Sequence, residues 1–79
     1  MEVTRESILK AIELIDKNPD LLKGRTSSTY DLIFDNNKYP PILVLSEANK
    51  INGGKELLLE DFGNSVTIPF DILKKNGFV

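Results

Sequence analysis

Cysteine, histidine and tryptophan are all absent from the 79 residues. Without cysteine there is no disulfide framework, thiolate metal site or thiol nucleophile. Without histidine there is no serine–histidine pair and none of the common zinc sites. Chemistry is left to carboxylates, lysines and two tyrosines, and no cofactor or metal is expected. Long apolar runs are missing too. The longest, Ile42 to Leu45, falls far short of the ~20 residues a membrane-spanning helix needs, and the N-terminus is too polar for a signal peptide. The expectation is a cytoplasmic protein with no membrane partner. A chain this short has room for one hydrophobic core, so residues 1–79 read as a single small domain. Its 41% hydrophobic and 28% charged residues place it among ordinary globular domains rather than disordered segments.

Net charge is −2, which argues weakly against nucleic acid as a partner. The charge is unevenly spread. Residues 1–20 carry three basic side chains against five acidic ones, and residues 56–79 carry two against four. Residues 21–55 hold Lys23, Arg25, Lys38, Lys50 and Lys55 against Asp31, Asp35 and Glu47. The middle of the chain is its one basic part.

The organising stretch is Tyr30 to Lys50. Tyr30–Phe34 alternates, with Tyr30, Leu32 and Phe34 on one face and Asp31, Ile33 and Asp35 on the other. Asn36-Asn37 offers two residues that tolerate positive φ, and Lys38-Tyr39 returns as a second strand. Pro40-Pro41 ends the ladder, and Pro41 suits the first position of a helix. That helix is apolar on nearly every side for a turn, so other elements must cover it. Asn52-Gly53-Gly54 stops it.

On the N-terminal side, Thr4 caps a helix whose Ile8, Ala11, Ile12 and Ile15 form one buried stripe, with Val3 and Ile8 as a hydrophobic staple. Glu6–Lys10 and Glu13–Lys17 are favourable pairs on its wet face. Pro19 ends this helix, and Asp20–Lys23 forms a short turn closed by Gly24. Lys55–Phe62 reads as a loop or a single helical turn that tucks leucines under the domain. The final helix is capped by Thr67, with Ser65 as a competitor, and Gly77 and Phe78 complete a Schellman ending on Leu73. The fold class is therefore α+β: a two-stranded antiparallel hairpin on three to four short helices, near 5–17, 41–51 and 68–76. The expected core is Ile8, Ile12, Ile15, Leu32, Phe34, Val44, Leu45, Ala48, Phe70, Leu73 and Phe78.

No catalytic group stands out. Asp31 and Asp35 share no helical face, Glu60 and Asp61 point apart, and neither pair makes an acid–base dyad. Asp31–Asn37 lacks the glycine and final glutamate of a calcium loop. Gly53-Gly54-Lys55 follows a helix rather than a strand and lacks the earlier glycine and the Ser/Thr of a phosphate-binding loop. Two binding features have two readings each. The run Arg25-Thr26-Ser27-Ser28-Thr29 is either a surface loop whose hydroxyls satisfy nearby backbone or a set of phosphate contacts. Tyr30 and Tyr39 either pack across the hairpin or stack on a base.

Ser28-Thr29-Tyr30-Asp31-Leu32-Ile33-Phe34, Asn37-Lys38-Tyr39-Pro40-Pro41, Ala48-Asn49-Lys50, Phe62-Gly63, Phe70, Ile72-Leu73 and Asn76-Gly77-Phe78 occur in one order. In that order they resemble the N-terminal head domain of HNH-type, modification-dependent (type IV, Mcr-like) restriction endonucleases and related bacterial defence proteins. The likeness covers roughly Thr26 to Phe78. It implies a non-catalytic specificity or assembly module of a DNA-cleaving protein, with the nuclease elsewhere in a longer chain. On that view Met1 is a natural start, and Gly77-Phe78 is where the head would be cut from its parent. Ile42 stands where the family often carries lysine, which removes a possible phosphate contact. Glycine is also usual where Asn36 or Asn37 stands, and a glycine pair where Gly63-Asn64 stands. The leading expectation is DNA recognition, weak on double-stranded DNA, by Arg25, Ser27, Ser28, Tyr30, Lys38, Tyr39, Lys50 and Lys55. The alternative is a protein–protein docking or oligomerisation module.

Overall fold

The computed structural model describes residues 3–24, 31–65 and 67–78. Helix α1 spans Arg5–Lys17, strands β1 and β2 are Leu32–Phe34 and Asn37–Tyr39, helix α2 is Pro41–Ile51 and helix α3 is Thr67–Lys75. Single 3₁₀ turns at Pro19–Leu22 and Leu59–Phe62 fill the connections. This is the α+β domain expected, an antiparallel two-stranded hairpin laid on a helical layer.

α1 starts where the capping signal places it. Thr4 Oγ1 accepts from the Ser7 N–H at 3.1 Å, and the Thr4 N–H donates to Ser7 Oγ at 2.9 Å, a reciprocal box that satisfies two end groups. Ile8, Ala11, Ile12 and Ile15 are all buried, and Val3 packs half-buried against the same core. On the outer face, Glu6–Lys10 and Glu13–Lys17 pair at 3.4 and 2.9 Å. Lys17's bond holds the Glu13 carboxyl below its ordinary range.

The hairpin turn sits one residue earlier than expected. Asp35 and Asn36, not Asn36 and Asn37, take left-handed φ values of 55° and 67°. Aspartate tolerates that region as asparagine does, which frees Asn37 to pair with Phe34. The register sets Leu32 opposite Tyr39 and Ile33 opposite Lys38. Moving a two-residue loop by one position shifts the register by two, so the faces keep their assignment: Leu32 and Tyr39 point in, Ile33 and Lys38 out. The strands are shorter than Tyr30–Phe34 suggests. Tyr30 lies outside the described residues.

α2 is the centre of the molecule. Pro40 and Pro41 leave no ladder donor, and the helix begins with the Val44 N–H donating to the Pro40 carbonyl at 3.1 Å. Eight of its eleven residues are buried, including the polar Ser46, Glu47 and Asn49. The two polar uncharged side chains bind the backbone that follows the helix. Leu57 N–H donates to Ser46 Oγ at 2.9 Å, and Asn49 Nδ2 donates to the Lys55 carbonyl at 3.0 Å. Gly54 lies so close to the Asn49 amide that a Cβ would collide with it. Of Leu57-Leu58-Leu59, Leu57 alone is tucked under the domain, with Phe62 beside it in the core.

In α3, Thr67 is the first helical residue rather than the cap. Its N–H donates to Ser65 Oγ at 3.3 Å, a local bond to a hydroxyl two residues before the helix. The C-terminus is a Schellman ending: Phe78 N–H bonds the Leu73 carbonyl and Gly77 N–H the Lys74 carbonyl, both at 3.0 Å. Leu73 and Phe78 are buried in the core, whereas Phe34 and Phe70 are half-buried, more exposed than expected. Tyr39, Leu43 and Phe62 complete the core.

Candidate nucleic-acid interface

The eight candidate residues divide sharply. Arg25, Ser27, Ser28 and Tyr30 lie outside the described residues. Lys38 sits on the outward face of β2, exposed, directly across from Ile33, which is itself 64% exposed. No acid pairs with Lys38 among the described residues. Among the described residues it is the one lysine of the set with no acid beside it.

Tyr39 goes the other way. It is buried in the core, and its hydroxyl donates to Asp16 Oδ1 at 2.6 Å across the hairpin–α1 contact. Burial pushes the phenol up to about 12, and the neighbouring Asp16 carboxylate pushes in the same direction. A ring enclosed in this way offers no face to a base, so Tyr39 is a packing residue and leaves the candidate set.

Lys50 and Lys55 each pair with an acid, Lys50 with a buried one and Lys55, 73% exposed, at the surface. Lys50, in the last turn of α2, bonds Glu47 at 3.1 Å, and that carboxylate's side chain is only 6% exposed. A carboxylate so far from water needs a cation beside it, so releasing Lys50 to a phosphate would leave Glu47 uncompensated. Lys55 bonds Asp61 at 2.9 Å. Asp61 in turn accepts from the Leu58 N–H at 2.8 Å, which holds its carboxyl below the ordinary range, with the bond from Lys55 acting the same way. The Lys55 ammonium is correspondingly raised by Asp61. Here the pair fastens the 3₁₀ turn at Leu59–Phe62.

The cations also belong to different elements. Lys38 lies on β2, three residues before α2 begins, whereas Lys50 is in the last turn of α2 and Lys55 lies beyond it. The helix between Lys38 and Lys55 along the chain is eleven residues, about 16 Å, long.

Outside the candidate set, Arg5 Nη1 donates to the Asn76 and Gly77 carbonyls at 2.8 and 3.2 Å. Nothing local signals a partner more than seventy positions away. Lys74 and Lys75, exposed in the last turn of α3, also lie outside the set. No cluster of three or more potential metal ligands occurs among the described residues. No helix among them is long and apolar enough to cross a membrane. Comparisons with protein-family models, curated proteins and solved structures each return no match.

Proposed function

We propose that this chain is a non-catalytic recognition module, of the kind its resemblance to restriction-endonuclease head domains implies, and that it docks onto a protein: the parent nuclease, a partner or a second copy. The observation that carries this choice over DNA recognition is the pairing of Lys50 with buried Glu47 and of Lys55 with Asp61. An interface that grips duplex DNA needs cations free to replace condensed counterions. Two of the three described lysines in the candidate set are held by acids instead. The outward hairpin face, with exposed Ile33 beside Lys38, has the mixed apolar and charged character of a protein-docking rim.

DNA recognition is the second reading, favoured by Lys38, exposed and with no acid partner among the described residues, and by the basic middle of the chain. The two part on alanine variants in a duplex-binding titration. Docking expects Lys50→Ala and Lys55→Ala to leave affinity for modified and unmodified duplexes unchanged at low salt. A loss of severalfold from each, with the fold intact by circular dichroism, would return the reading to DNA.

A further inference from the structure

The hairpin has little of its own to hold it. Each strand is three residues long, and a two-stranded hairpin is marginal without outside support. Leu32 and Tyr39 anchor its base in the core. Toward the turn, the inward aromatic is Phe34, whose ring meets Phe78 with centroids 5.7 Å apart and planes tilted by 52°. Phe78 is gripped in turn. The Arg5 guanidinium lies 4.9 Å from its ring centroid, and the same group holds the Asn76 and Gly77 carbonyls. Gly77 permits this approach, since a Cβ there would run into Arg5 Nη1. The chain of contacts runs from the first residue of α1, through the end of α3, to the half of the hairpin that carries the turn.

We propose that Arg5 is a positioning residue for the hairpin: by clamping residues 76–78 from α1 it fixes Phe78 as the seat on which Phe34, and with it the outward Ile33–Lys38 surface, rests. The Schellman bonds of Phe78 and Gly77 go to α3's own carbonyls, so they close the helix without Arg5. What Arg5 adds is the orientation of the Phe78 ring, through a cation over its face and two charge-assisted bonds to the backbone around it. Its loss loosens the ring, and the hairpin tip with it, before it threatens the α1–α2 core. The functional meaning of this rests on the docking reading, because the positioned surface is the one proposed to dock.

The test is native-state amide exchange by NMR on the full chain, comparing wild type with Arg5→Gln and Arg5→Lys. Arg5→Gln is expected to speed exchange in the Leu32–Tyr39 ladder by roughly 5- to 30-fold relative to Val44–Ala48 in α2, and to weaken the cross-peaks between the Phe34 and Phe78 rings. Arg5→Lys should fall between the two, since it keeps a charge over the ring but not the fork that spans two carbonyls. Unchanged ladder exchange, an equal acceleration of ladder and α2, or a lysine variant looser than the glutamine one would each overturn the proposal. No partner is present in this experiment. A negative result therefore removes the clamp and leaves the docking reading standing, and a failure to find docking leaves the clamp untouched.

Discussion

Tyr39 shows most clearly how a single side chain changes meaning once it is placed. Its phenol holds its proton in the fold up to about pH 12, whereas in the unfolded chain it releases it near 10. The folded state binds that proton more tightly, so the contribution is complete below about pH 10 and is lost as pH rises from about 10 toward 12. Tyr39→Phe should flatten that part of the stability curve in urea unfolding. At neutral pH it should cost only about 1 kcal/mol, because exposed Asp16 regains water. A variant that loses stability across the same alkaline window as wild type would contradict the assignment. Gly77→Ala must take a φ of 87° and should cost about 1–2 kcal/mol from the backbone, while the flexible end of Arg5 shifts to make room for the new methyl. An unchanged melting midpoint would show that the C-terminal turn can reshape at no cost. Both residues were partly legible. Cross-strand packing of a hairpin tyrosine and a glycine closing a helix are local rules, but Asp16 and Arg5 are partners supplied by distant chain.

At the scale of elements, the sequence was most informative where its signals were local. Two prolines, a turn of apolar residues and Asn-Gly-Gly define α2 at Pro41–Ile51, and α1 follows from one cap and one stripe. Leu45 is fully buried in α2, so Leu45→Ala should cost about 2–5 kcal/mol, enough to threaten a domain this small. A measured loss below about 1 kcal/mol would mean the helix is not the centre of the core. What could not be read was how α2 buries Ser46, Glu47 and Asn49. Ser46 and Asn49 are satisfied by backbone six to eleven positions on, and only the packing of the loop onto the helix creates the need for them. The leucine run misleads for the same reason: three identical side chains carry no period, and the Ser46 bond to Leu57 decides which one turns inward.

Across the whole molecule, summing charge along the chain makes residues 21–55 basic, yet the folded chain spends that excess internally. Glu47 pairs with Lys50, and Asp61 pairs with Lys55. The excess is legible in the sequence; its pairing is not, because Asp61 reaches Lys55 only through the 3₁₀ turn that its own carboxylate helps to close. The claim that these cations are committed is tested most directly by the salt dependence of duplex binding. Four free cations would give a log–log slope of roughly −3.6, whereas Arg25 and Lys38 alone would give no steeper than roughly −1.8. The account predicts the shallower slope or no detectable binding, with any affinity no tighter than ~10⁻⁴ M at physiological salt. A slope near −3.6 that flattens by about one unit for each of Lys50→Ala and Lys55→Ala would contradict it.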